Sequence, residues 1–193
     1  MKNIILSVLV LSFLLVSCNQ KNKQEETVNS ETVNSETIKP ETATVKVSPT
    51  SFSIKEIVTD YLSLKNALTK DDSNGTADSG KALVKTLGKI DMKKLSGEQM
   101  KTYMDIADDL KEHAEHIGDN AGNIAHQREH FVLMSKDIND LVATFGTDQK
   151  LYQDFCPMAD EGKGAIWISE VKDIKNPYYG SEMLTCGSVR KEF

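Results

Sequence analysis

The chain has 193 residues, with 29 acidic against 23 basic side chains and a formal charge of −6. That mild acidic balance excludes the electrostatic footprint of a nucleic-acid-binding protein, and the length is that of one domain with extensions. No P-loop, dinucleotide fingerprint, His-Glu-x-x-His or Gly-x-Ser-x-Gly motif occurs, so the reading is of a protein that is not an enzyme.

Residues 1–17 read as a leader. Lys2 supplies a positive start, and Ile4 to Val16 is an apolar run broken only by Ser7 and Ser12, too short to span a membrane. The run ends in Leu15-Val16-Ser17-Cys18, which resembles the bacterial lipoprotein signal-peptidase motif. Cys18 would then become the first residue and carry the acyl chains that anchor the protein. Asn19 in place of aspartate fits an outer-membrane destination. Residues 18–50 form the lipidated cysteine and a tether. Glu26-Thr27-Val28-Asn29-Ser30 recurs as Glu31-Thr32-Val33-Asn34-Ser35, a five-residue period that suits neither helix nor strand and cannot bury enough surface to offset its ordering entropy.

Residues 51–193 carry the fold. Ile54, Ile57, Val58, Tyr61, Leu64 and Leu68 make a helical stripe, with Ser53 and Glu56 in the spacing of a capping box. Lys70 to Gly75 reads as its stop. A second helix, from about Thr76 to Lys89, carries Ala77, Gly80, Leu83, Val84 and Leu87 on one face; its glycines weaken it on propensity. Ser96 and Gln99 open a third, with Met100, Tyr103, Ala107, Leu110, Ala114 and Ile117 facing inward. A fourth runs from about Asn123 to Thr144 on Phe131, Met134, Ile138, Leu141 and Val142. The expected fold is mostly α: an antiparallel four-helix bundle with an irregular C-terminal cap, residues 147–193, containing at most a short β-hairpin around Ala165–Ser169.

The cap concentrates unusual residues. Cys156-Pro157-Met158 and Met183-Leu184-Thr185-Cys186 each set a thioether beside a thiol, and soft sulfur donors select copper(I). The same two cysteines, 30 positions apart in an exported protein, equally suit a disulfide, and spacing leaves both readings open. All four histidines fall between His113 and His130. His113 and His116 are three apart, and His126 and His130 four apart, so each pair shares a helix face. His116, beside Ile117, and His130, beside Phe131, are the inward pair; His113 and His126 are read as solvent-facing. The candidate metal ligands are thus Cys156, Met158, Met183, Cys186, His116 and His130. Trp167 reads as a packing residue, with a cation–π role as the alternative.

Tyr61-Leu62-Ser63-Leu64-Lys65-Asn66-Ala67-Leu68, Gln127-Arg128-Glu129-His130-Phe131 with Ser135, Cys156-Pro157-Met158-Ala159, Asn176-Pro177-Tyr178-Tyr179-Gly180 and Met183-Leu184-Thr185-Cys186-Gly187 together resemble a domain of unknown function in bacterial envelope proteins. That domain occurs alone on lipoproteins and at the C-terminus of periplasmic adaptor subunits of copper/silver-type efflux pumps. The resemblance, over roughly Phe52 to Arg190, implies a heavy-metal context. The expected function is an envelope lipoprotein, membrane-bound through its lipid, that binds copper(I) or another soft ion such as silver(I) and buffers it or hands it to an efflux adaptor or metallochaperone. The alternative is an interaction module with a Cys156–Cys186 disulfide that docks an envelope partner.

Overall fold

The computed structural model describes residues 52–193. The leader, Cys18 and the tether lie outside the described residues.

Four helices and a small sheet follow one another along the chain: α1 (Lys55–Leu68), α2 (Ser73–Leu87), α3 (Gly97–Asp119), α4 (Ile124–Phe145), β1 (Tyr152–Cys156), β2 (Ala165–Ser169) and β3 (Ser188–Glu192). Single 3-10 turns lie at Met92–Lys94 and Gly180–Glu182. The architecture is the expected mostly helical bundle with a C-terminal cap. The cap goes one strand beyond a hairpin. Its antiparallel sheet has the order β2-β1-β3.

The helix starts show which local chemistry won. Ser96 and Gln99 form the full capping box of α3, side chain to backbone in both directions, which satisfies two otherwise orphaned N–H groups. The box expected at Ser53 and Glu56 does not form; α1 starts after Ile54 without a side-chain cap, and Ser53 Oγ accepts from Lys55 N at 3.2 Å. The break before α2 is shorter than expected. Asp72 caps Gly75 N at 2.9 Å, so Ser73, Asn74 and Gly75 join the first turn of the helix. An aspartate at the N-cap outweighs the low propensity of a glycine at the third position.

The core is continuous from bundle to cap. Ile57, Tyr61, Leu64 and Leu68 of α1, Leu83 of α2, Leu110 and Ile117 of α3, and Phe131, Met134 and Ile138 of α4 are fully buried. Trp167 and Ile168 of β2 join them at 0 % exposure, so Trp167 is a core residue. Tyr61 and Phe131 stack across α1 and α4 at 5.4 Å. The Tyr61 hydroxyl bonds Ser135 Oγ at 2.9 Å and accepts from Ile168 N at 3.1 Å, which fastens the edge of β2 into the groove between the two helices. Buried Lys65 donates to Glu170 Oε2 at 2.7 Å, and Asn66 to Glu170 Oε1 at 2.8 Å. On the loop side, Arg128 of α4 donates to Pro177 O at 2.9 Å, Leu68 O at 3.2 Å and Asp71 Oδ1 at 2.6 Å. Asp71 in turn accepts from the backbone and hydroxyl of Ser181, which, with Arg128, hold its carboxyl down at about 2. Gly180, at φ +54°, has no room for a Cβ beside Asp71. The cap is therefore clamped to the bundle by the Lys65–Glu170 ion pair and by the hydrogen bonds of Arg128 to Pro177 and of Ser181 to Asp71, as well as by its apolar face.

Candidate metal centre

The linker between α3 and α4 decides where the histidines go. Asn120 to Asn123 turns the chain within four residues, using Gly122 at φ +86°. The last turns of α3 thus lie beside the first turns of α4, and a pair of histidines from each helix faces the other. Gln127, fully buried, holds this end together. Its amide donates to Ser73 O at 3.0 Å and Ile117 O at 3.2 Å and accepts from Ser73 Oγ at 2.8 Å. Ser73 Oγ also accepts from Gly122 N at 2.8 Å. One side chain thereby joins the starts of α2 and α4 to the end of α3.

His130 is the hub of the cluster. Its ring lies 4.3 Å from His116, 4.7 Å from His126 and 5.4 Å from His113, centroid to centroid. Donor nitrogens of His116, His126 and His130 all fall within 4.8 Å of one another, a separation that one ion at usual Zn–N or Cu–N lengths of roughly 2.0–2.1 Å can draw together. Two hydrogen bonds orient the rings. His126 Nδ1 bonds Glu129 Oε2 at 3.0 Å; with the N–H donating to the carboxylate, Nε2 is left as the lone-pair donor. His113 Nδ1 and His130 Nδ1 are 3.2 Å apart; with the His130 N–H donating to His113, Nε2 of His130 is left as the lone-pair donor. A carboxylate behind a ligating imidazole, as Glu129 lies behind His126, is a usual outer layer of a metal site. Burial holds His113 and His130 below the ordinary imidazole pKa, and so favours the neutral, ligating form. All-imidazole donors suit copper, zinc and nickel.

Sequence reasoning found the histidines but sorted them differently. His116, expected inward, is exposed; His113, His126 and His130 are half-buried. The i, i+3 and i, i+4 spacings placed each pair on one face correctly. Which way that face turns depends on the neighbouring helix, since α3 and α4 pack together along this side. His126 joins the centre, His113 supports it, and Glu129 orients a ring. A carboxylate three residues after His126 was the available signal for that last role.

The six expected ligands divide into two groups. Neither cysteine belongs to the histidine cluster. Cys156, at the end of β1 and fully buried, meets Cys186 with their sulfurs 3.3 Å apart, both as free thiols. Their mutual hydrogen bond raises the pKa of the Cys186 thiol. Met158 is 49 % exposed in the turn after β1, and its carbonyl accepts from Tyr179 Oη at 2.6 Å. Met183 O accepts from Cys186 N at 3.0 Å. The backbone of each methionine shapes a turn of the cap.

Residues 57–150 match the model of a family described as protein of unknown function (DUF3347). The matched stretch runs from α1 to the end of the bundle and includes all four histidines; Cys156 and Cys186 lie beyond it. No curated protein and no solved structure matches the chain.

Proposed function

We propose that this domain binds a transition-metal ion, with copper the favoured cargo, through Nε2 of His126, Nε2 of His130 and a nitrogen of His116. His113 and Glu129 orient the ligands from behind. The observation that carries this reading is the convergence of three imidazoles from two helices within 4.8 Å. Solvated surface histidines have no reason to collect around one ring, and the packing cost of holding four imidazoles together is offset when an ion is shared. The proposed donor set is nitrogen throughout, and Cys156 and Cys186 pair with each other instead.

The biological setting in this proposal follows from the N-terminal residues. A lipid on Cys18 and a polar tether would hold the domain near a bacterial envelope membrane, the outer one by its sorting residue, where it buffers copper or passes it to an efflux adaptor or metallochaperone. A site with an exposed ligand, His116, suits transfer better than storage, because an acceptor can reach the ion from that side.

Calorimetric titration of the full chain with copper(I) under reducing conditions, and separately with copper(II) and zinc(II), tests the centre. One ion bound per chain, with binding abolished in a His116→Ala/His130→Ala double variant that keeps its helical circular dichroism, is the expected result. Unchanged affinity in that variant would overturn the site.

A further inference from the structure

The thiol pair is the feature the metal centre leaves unused, and its geometry speaks to its chemistry. Two thiolates sharing a tetrahedral ion at about 2.3 Å each stand roughly 3.8 Å apart, and a linear pair stands wider still. Cys156 Sγ and Cys186 Sγ are at 3.3 Å, closer than a shared ion requires and within a small side-chain rotation of a bond.

The two sulfurs are held in that position by the cap. Cys156 ends β1, paired with Ala165 of β2. Cys186 sits in a turn organised by Asn176, which is fully buried. Asn176 Nδ2 donates to Cys186 O at 2.8 Å, its backbone N donates to Leu184 O at 2.8 Å, and its Oδ1 accepts from Tyr178 N at 2.8 Å. Gly187 then leaves the turn with Trp167 against it: a Cβ there would fall 2.8 Å from Trp167 Cη2 and 3.0 Å from Phe155 O. The backbone on both sides of Cys186 is therefore fixed. The two thiols differ in access. Cys156 is at 0 % exposure and Cys186 is half-buried.

We propose that Cys156 and Cys186 are a dithiol–disulfide exchange site, with Cys186 as the sulfur that meets an external disulfide and Cys156 as the resolving thiol. In the first step the Cys186 thiolate attacks one sulfur of a disulfide R–S–S–R, forms a mixed disulfide and releases one thiolate RS⁻. In the second, the Cys156 thiolate attacks Cys186 Sγ, closes the internal disulfide and releases the other RS⁻. The two protons lost by the cysteines end on the two released thiolates, and the external disulfide is reduced by the two electrons that the pair gives up. The co-substrate class is a low-molecular-weight or protein disulfide; the reverse reaction uses a dithiol reductant. Closure links β1 to the segment that leads into β3, and so fastens the third strand to the sheet by a covalent bond.

The test uses the full chain carrying Cys18→Ser, which leaves only the pair, equilibrated in buffers of stepped reduced-to-oxidised glutathione ratio. Thiols are trapped by alkylation and weighed by mass spectrometry. Trp167, the only tryptophan, reports closure through its emission, because it packs against the residue after Cys186. The expected result is a single cooperative step from two alkylated thiols to none, with quenched Trp167 emission and a thermal midpoint raised on the order of 10 °C by the closed loop. Cys156→Ser should stop at a stable glutathione adduct on Cys186. Because Cys156→Ser places a hydroxyl in the core, Cys186→Ser at the more open position is the companion variant; it should form no adduct on the buried Cys156. Two thiols that stay alkylatable in fully oxidised glutathione would overturn the proposal. So would faster adduct formation at Cys156 than at Cys186. A copper(I) ion lost from the reduced chain on Cys186→Ser, but kept in His130→Ala, would also overturn it and return the pair to metal chemistry.

Discussion

The rings of His116 and His130 stack 4.3 Å apart with their planes 7° from parallel, although one belongs to the end of α3 and the other to the start of α4. Two imidazolium ions that close would repel, and burial already holds His130 below the ordinary imidazole pKa, which favours the neutral form of that ring. A neutral ring with a free lone pair is what a metal ion needs.

The ranking of the histidines follows from their contacts. His130→Ala removes the ring that touches the other three and should weaken copper or zinc binding by more than roughly 100-fold. His113→Ala and Glu129→Gln remove only orienting bonds and should each weaken it by about 10-fold. Competition titrations against a chelator of known affinity measure all three. Equal losses in the three variants would mean that His113 is itself a ligand and His130 is not the hub.

Gln127 is the structural guarantor of that cluster. Gln127→Leu fills the same space but takes away the acceptor of the Ser73 hydroxyl proton and one donor from each of the carbonyls of Ser73 and Ile117, while Ser73 Oγ keeps Gly122 N. Leaving such groups unpaired costs about 1–3 kcal/mol each, with water entry relieving part of it. Urea denaturation should show a loss of roughly 2 kcal/mol, accompanied by weaker metal binding although no ligand has changed. A variant as stable as the parent would show that the amide clamp is dispensable.

The four helices were legible because their apolar residues recur at helical spacing, and β2 because Ala165–Ser169 is a short apolar run between turns. The rest was hidden for physical reasons. β3, Ser188–Glu192, is exposed along its length, so no buried face imposes an alternation. β1 hides a charged residue, Asp154, on its inward side, where a hydrophobic pattern would show an apolar one. At the candidate site, spacing identified which histidines share a face. The partner across that face comes from the α3–α4 packing, so the convergence of four rings, and the separation of the cysteines from them, could be seen only in three dimensions.

The glycines of α2 illustrate the same point energetically. On propensity Gly80 weakens its helix, and Gly80→Ala should gain about 1 kcal/mol. The structure reverses the sign. A Cβ on Gly80 would lie 2.9 Å from Ala114 O and 3.1 Å from Gly118 N, while a Cβ on Gly118 would lie 3.0 Å from Lys81 Cγ. Both close contacts at Gly80 are backbone of α3, which yields only if the helices part. Gly80→Ala should therefore destabilise the domain by about 1–3 kcal/mol, seen as a lower thermal midpoint. At Gly118 the nearest atom belongs to a flexible lysine, and Gly118→Ala should cost less. A stabilised Gly80→Ala would show that α2 and α3 are free to separate.

Asp154 makes the final prediction, one in which pH decides the sign. The side chain is fully buried in the middle of β1, and neither carboxylate oxygen has a hydrogen-bond partner. Desolvation raises its pKa to about 6, with Lys65 pulling the other way. The unfolded chain ionises near the ordinary value of about 3.9, so the folded state holds this proton more tightly. The stabilising contribution is fully present below about pH 3.9 and is lost as pH rises through about 6. An asparagine side chain never ionises, so the Asp154→Asn variant should match the parent within about 1 kcal/mol at pH 4.5 and exceed it by about 1–3 kcal/mol at pH 7.5. Urea denaturation at the two pH values measures the difference. A parent more stable than Asp154→Asn at pH 7.5 would mean that the ionised carboxylate is held by Lys65 strongly enough to outweigh its burial, and that the Lys65–Glu170 pair is part of a three-member charge network.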